Sequence, residues 1–274
     1  MVIGFFIILA ILLVIGTPIF IALSGAVVTS VLWEGGTPLT IVIERLFAGL
    51  DKFSLMSIPF FILTGSLMSF GGLSQRIVNL ANLLVGRFTG GMGMTAVSSS
   101  MFFSAISGSS PATVVAVGSL LYPAMKEQGY KRSFSIGVIV ASGSIGIIIP
   151  PSIVMIVYAA VTGVSVGALF MAGLGAGLLY GACFFPYCYY QARKDGVKRS
   201  PAPTAQQFWQ ALKDAAWGLG VPVVVLGGIY GGIFTPTEAA AVAVVYAFCV
   251  SAFIYREKTI SELFGVISGS ATTT

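Results

Sequence analysis

The chain has no histidine at any of its 274 positions. That absence removes Ser-His catalysis, most zinc sites and the common imidazole proton relay. Charge is nearly as scarce: Asp, Glu, Lys and Arg make up 8% of the residues, against roughly 25% in an ordinary soluble domain, so water is not its main solvent. The few acidic residues, such as Glu34, Asp51, Glu127, Asp195 and Glu257, fall near the ends of apolar runs and form no enzyme constellation. Cys183, Cys188 and Cys249 lie inside apolar stretches at spacings that suit neither a zinc knuckle nor one helix face, and are read as lipid or packing residues. No basic run is long enough for nucleic acid, and the net charge of +5 is spread over loops and helix ends. The first fifteen residues carry no Lys or Arg and no small-residue cleavage site follows, so the expectation is a membrane helix rather than a removable signal peptide.

What is present is apolar sequence, 57% of the chain. A bilayer crossing needs about 20 apolar residues, and runs of that kind recur along the whole length, which predicts an all-α, polytopic membrane protein. In residues 1–90, the run from Val2 to Leu32 breaks at Gly16-Thr17-Pro18 into two short helices. Pro38 to Phe53, with Glu44, Arg45, Asp51 and Lys52, suits an amphipathic interfacial arm, Leu55 to Phe70 crosses, and Ser74 to Phe88 is again amphipathic. Residues 91–190 divide into a re-entrant helical hairpin at 91–125, a broken helix at 133–162 and a crossing helix at 164–190. Residues 191–218 form a cytoplasmic loop and an amphipathic connector, because the basic loops Lys126 to Arg132 and Arg193 to Arg199 should share the cytoplasmic side.

Sliding the sequence by about 218 positions lays Thr17-Pro18 on Thr235-Pro236, Glu44 on Glu262 and, with one gap, Leu46-Phe47 on Leu263-Phe264. The match is sparse enough to arise by chance in apolar sequence. The shared order of helix, Thr-Pro, helix and charged interfacial stretch argues for an inverted repeat, of which 219–274 is the start of a second copy. On that reading the second copy stops early, and a complete protein would run to on the order of 430 residues.

The chemistry is expected at two breaks. Between Gly90 and Met125 there is no charged residue, yet the centre reads Ser104-Ala105-Ile106-Ser107-Gly108-Ser109-Ser110-Pro111-Ala112-Thr113, a turn composition at membrane depth. The second break runs from Ser142-Gly143-Ser144-Ile145-Gly146 to Pro150-Pro151-Ser152. A bilayer tolerates non-helical backbone only when it is buried in protein or lines a cavity, so the two breaks should face each other. Freed carbonyls, with hydroxyls from Ser104 and Ser109, make a neutral oxygen cage suited to a hard monovalent cation, and half-helix N-termini supply donors for a carboxylate. The alternative is that Ser and Gly only let membrane helices pack closely.

Phe103 to Thr113, Gly146-Ile147-Ile148-Ile149-Pro150-Pro151-Ser152 and Phe234-Thr235-Pro236-Thr237-Glu238-Ala239-Ala240-Ala241 resemble the signature stretches of the large membrane subunit of tripartite ATP-independent periplasmic (TRAP) transporters. The resemblance implies a non-enzymatic, sodium-driven importer of organic acids such as sialic acid or C4-dicarboxylates in the bacterial inner membrane, working by an elevator mechanism. Residues 1–90 would be scaffold and 91–190 part of the moving domain. Its partners would be a small four-helix membrane subunit, a periplasmic substrate-binding protein and the lipid bilayer, with no nucleic acid and no cofactor beyond the coupling sodium ion. Carried over, the sodium site would use Ser104 and Ser109 with the carbonyls of Gly146, Ile149 and Pro151, and Ser107, Ser110 and Ser152 would serve the substrate. The family's second hairpin and second sodium site match nothing in this sequence. The residues alone leave open a sodium/dicarboxylate carrier without a binding protein, and a channel-like membrane subunit.

Overall fold

The computed structural model describes residues 2–35, 38–197 and 203–273. Among these every regular element is helical, as the spacing of apolar runs predicts. The chain divides into two compact units, residues 1–52 and 53–274.

In the first unit, α1 (Val2–Val14) and α2 (Ile19–Glu34) pack against each other through a turn at Gly16, whose φ of 85° is one that glycine adopts without strain. The amphipathic α3 (Leu39–Leu50) follows and carries Glu44 and Arg45. No residue of α1 or α3 is buried, as expected of helices bathed in lipid or lying at its edge.

The second unit contains α4 (Ser57–Phe70), α5 (Leu73–Val85), α6 (Gly91–Ser107), α7 (Ser110–Glu127), α8 (Arg132–Gly143), α9 (Ile153–Thr162), α10 (Val166–Lys194), α11 (Ala205–Tyr230), α12 (Pro236–Cys249) and α13 (Ile260–Thr273). A 3-10 turn at Phe53–Met56 extends α4, and a π-helical turn at Val250–Tyr255 extends α12. Four stretches among the described residues are long and apolar enough to cross a membrane: Phe53–Phe70, Val166–Lys194, Ala205–Tyr230 and Pro236–Tyr255. Helices α4 and α12 run parallel and in register, because Thr237 Oγ1 donates to the Phe53 carbonyl at 3.1 Å and Ser251 Oγ donates to the Leu67 carbonyl at 3.1 Å, the same sequence offset at both ends. Helix α13 packs along α4 and buries Leu263 completely.

At one end of this unit Lys131 Nζ lies 2.6 Å from Asp195 Oδ1, so the loop before α8 and the loop after α10 meet on the same side. Lys198 and Arg199, the rest of the second basic loop, lie outside the described residues.

The two stretches aligned by the 218-residue shift differ locally. Thr235 caps α12 in a reciprocal box with Glu238, whereas Thr17 Oγ1 donates back to the Leu12 carbonyl at 2.7 Å and Pro18 opens α2. Glu262 likewise bonds Thr259 at the start of α13, whereas Glu44 sits in mid-helix. The order of elements is shared, and the roles of these matched residues are not.

Candidate functional site

Helix α6 ends because Gly108 turns left-handed, with φ 61°, and its amide donates to the Ser104 carbonyl at 3.0 Å. Ser109 is extended, and α7 begins at once with Pro111 in its first turn, where a missing N–H costs nothing. The bend is stapled by hydroxyls: Ser107 Oγ contacts Thr113 Oγ1 at 3.2 Å and accepts from the Ser109 amide at 3.4 Å, and Thr113 Oγ1 donates to the Ser109 carbonyl at 2.8 Å. The result is a helical hairpin, two helices meeting through a two-residue tip.

The second break follows α8. A 3-10 turn at Ser144–Ile147 gives way to irregular backbone through Pro150 and Pro151, and α9 starts after Ser152. Ser152 is fully buried; its hydroxyl donates to the Ile147 carbonyl at 2.8 Å and accepts from the Met155 amide at 3.5 Å, capping α9.

The two breaks touch. The Ile153 amide donates to the Gly108 carbonyl at 3.2 Å. A Cβ on Gly108 would lie 2.6 Å from the Pro151 carbonyl oxygen, and one on Gly146 would lie 2.9 Å from the Ser109 carbonyl carbon and oxygen. Backbone thus approaches backbone at distances that only glycine permits. Ser109, Gly146 and Pro151 are gathered around Gly108. Ser104 sits one turn down α6, fully buried, with no hydrogen-bond partner for its hydroxyl among the described residues. Ile149 lies in the irregular segment with its side chain against Gly177 of α10. Ser110 is the first residue of α7. Ser107 and Ser152 are also brought in, but their hydroxyls are engaged by the tip and by the α9 cap.

The site is built from dipoles. No group of three or more His, Cys, Asp or Glu residues that could hold a metal occurs among the described residues. Sequence reasoning passed over two buried hydroxyls further down α6: Ser100 contacts Ser142 of α8 at 3.1 Å, and the Ser99 hydroxyl has no hydrogen-bond partner among the described residues. The run Ser98-Ser99-Ser100 in an apolar helix was the available signal. Outside the membrane-spanning segments, the Lys131 ammonium and then the Gln191 amide hold the Asp195 carboxyl below its ordinary value of 3.8, while burial pushes the Tyr130 phenol up to about 12.

Beside the hairpin lies a cavity of about 880 Å³, walled by α4, α5, α6, α7 and the start of α9. Ser109, Pro111 and Ala112 line it from the hairpin, and Ser69, Ser74 and Gln75 line it from α4 and α5. Among the described residues no hydrogen bond engages the Ser110 or Ala112 amide, whereas at α9 the Ile153 and Met155 amides are taken. Both the α7 start, at Pro111 and Ala112, and the α9 start, at Ile153, line this cavity, and the α7 start has more unengaged amides.

Residues 6–274 match the family described as the tripartite ATP-independent periplasmic transporter, DctM component. The chain belongs to that family. It is 44% identical to a C4-dicarboxylate TRAP transporter large permease protein of Rhodobacter capsulatus, covering 95% of this chain and 62% of the relative. It is 46% identical to the protein of the same description in Vibrio cholerae, over 90% and 54%, and 43% identical to an isethionate TRAP transporter permease protein of Oleidesulfovibrio alaskensis, over 96% and 42%. The chain thus spans about two fifths to three fifths of the length of these relatives. It is an integral, multi-pass protein of the bacterial inner membrane, in a family whose members are permeases.

Proposed function

We propose that this chain forms the ion-coupling half of a sodium-driven importer of organic acids. The observation that carries the reading is the meeting of two charge-free backbone breaks beside a buried, unpartnered hydroxyl at Ser104. An orphaned buried hydroxyl is costly, by about 1–3 kcal/mol, and a bound cation would relieve that cost. Ser104 and Ser109 would offer hydroxyl oxygens, and Gly146, Ile149 and Pro151 would offer carbonyls. Such oxygens suit sodium, and without a carboxylate in the cage binding stays reversible, as a transport cycle requires.

The substrate carboxylate would sit at the start of α7, held by the amides of Ser110 and Ala112 and the Ser110 hydroxyl. Ser107 and Ser152 would act there by fixing the two bends. Ion and carboxylate then sit on the adjacent tip residues Ser109 and Ser110, and sodium bound to one side of the bend would favour the tip conformation that receives the anion on the other. Coupling of this kind is reciprocal.

The tripartite family supports a periplasmic binding protein that delivers substrate and a small four-helix membrane subunit as partners. The hairpin and the broken helix would move by an elevator mechanism against a scaffold that includes residues 1–90. C4-dicarboxylates, isethionate and ectoine appear in the names of relatives, and sialic acid presents the same carboxylate chemistry.

The test is uptake by the complete transporter in proteoliposomes under an imposed sodium gradient. Accumulation that collapses when sodium is equal on both sides, and that needs the binding protein, supports the reading. Accumulation indifferent to the sodium gradient overturns it.

A further inference from the structure

The second break is held from two sides. On one lies the hairpin, at Gly108 and Ser109, and on the other lies α10. A Cβ on Gly173 of α10 would lie 2.5 Å from the Ile148 carbonyl oxygen, and one on Gly177 would meet the Ile149 side chain. Steric contacts of this kind limit approach but carry no direction. Direction comes from a hydrogen bond: Tyr180 Oη of α10 lies 3.1 Å from Oγ of Ser144, the first residue of the 3-10 turn. Among the described residues it is the only hydrogen bond between α10 and residues 144–152. Ser144 Oγ already donates to the Ala141 carbonyl at 2.7 Å, so its single proton is spent and Tyr180 is the donor. Tyr180 stands midway along the 29-residue α10, a helix long and apolar enough to cross the membrane. Tyrosines that mark a bilayer interface gather near helix ends, as Tyr187, Tyr189 and Tyr190 do before Lys194. A phenol at mid-bilayer needs a partner for its hydroxyl, and the partner it has is the break.

We infer that Tyr180 is a positioning residue for the sodium site, acting through Ser144. This rests on the reading of the two breaks as a sodium cage. Ser144 opens the turn that leads into Gly146 and Ile149, whose carbonyls the cage would use. A 3-10 turn has poorer hydrogen-bond geometry than an α-helix, and Ile149 lies in irregular backbone beyond it, so little local structure holds these carbonyls in place. Ligand oxygens must be held to within about 0.5 Å to favour one ion over another of different size, and outer-shell hydrogen bonds are the usual means. The phenol supplies that restraint by tying the turn to a long crossing helix. Tyr180 does not line the cavity beside the hairpin, so the carboxylate end of the site is outside its reach.

Sodium and lithium titrations of the complete transporter read the effect in wild type, Tyr180→Phe, Ser144→Ala and the double variant. Tyr180→Phe keeps the ring and its edge contact with Phe184 at 5.2 Å. It should weaken sodium binding about three- to tenfold and move the ratio of sodium to lithium affinity toward one, because a looser cage discriminates less by size. General destabilisation would lower both affinities alike and leave the ratio in place. Substrate affinity at saturating sodium should match wild type. In the Ser144→Ala background Tyr180→Phe should add nothing, since the bond it removes is already gone. Should Ser144→Ala fail to assemble, the ion ratio in Tyr180→Phe alone decides. An ion ratio unchanged in Tyr180→Phe, or losses that add in the double variant, overturns the inference and leaves the cage reading standing. Wild type that binds no sodium overturns that reading and the inference with it.

Discussion

The carbonyl of Gly108, at the tip of the hairpin, accepts the amide of Ile153, the first residue of α9, at 3.2 Å. One hydrogen bond thus joins the two places where the chain abandons helical geometry. It satisfies two backbone groups that would otherwise be orphaned in an apolar interior, where each lost partner is expensive. The tip and the broken helix therefore support each other, and neither conformation is expected to survive alone.

Gly108→Ala should accordingly destabilise the unit and abolish transport. The new methyl meets the Pro151 carbonyl oxygen at 2.6 Å, in a backbone region that L-residues avoid at φ 61°. The left-handed strain alone costs about 1–3 kcal/mol. Thermal unfolding in detergent, beside uptake by the complete transporter, checks this. A variant with wild-type melting and uptake would show that the two breaks do not depend on close backbone approach.

Much of this was legible in the sequence because bilayer physics leaves few options. A stretch without charges but rich in Ser, Gly and Pro can be neither a lipid-facing helix nor a loop in water, so the bends at Gly108 and at Pro150-Pro151 could be located before their contact was seen. The contact partners could not. That Gly146 faces Ser109, or that Ser100 meets Ser142, depends on helix rotation, which weakly periodic apolar sequence does not encode. The α4–α5 wall of the cavity escaped notice for the same reason, since Ser69, Ser74 and Gln75 look like scattered polar residues until α4 and α5 are placed beside the hairpin. The roles of the matched Thr-Pro pairs were hidden too. A capping box needs Glu or Gln at the third helical position, and of the two matched pairs only the second has it.

That difference is measurable. Thr235→Ala removes the hydroxyl that accepts from the Glu238 amide at 3.3 Å and donates to the Glu238 carboxylate at 2.8 Å, and leaves the bond from the residue 235 amide to that carboxylate in place. It should cost about 0.5–2 kcal/mol of stability. Thr17→Ala removes only one local bond to Leu12 and should cost less. Equal effects in a denaturation series would contradict the assigned roles.

The Lys131–Asp195 pair gives a pH signature. The folded-state carboxyl is held below 3.8 by Lys131 and Gln191, so its contribution is present above the unfolded value and fades as pH falls through the lower folded one. Wild type should therefore melt above Asp195→Asn near neutral pH, and the gap should close below about pH 4. A gap that is constant across this range, measured by melting in detergent, would mean that the ion pair contributes nothing to the clasp between the two loops.

The central claim is that the hairpin tip and the broken helix hold sodium in a cage of neutral oxygens, and direct sodium titration of the complete transporter tests it most closely. Isothermal calorimetry on wild type, Ser104→Ala and Ser109→Ala should show each substitution weakening sodium binding by about 1–3 kcal/mol, a loss of about fivefold to over a hundredfold in affinity. Substrate affinity at fixed sodium should fall in parallel. Sodium affinity unchanged in both variants, with normal assembly, would contradict the account and leave these hydroxyls as packing groups.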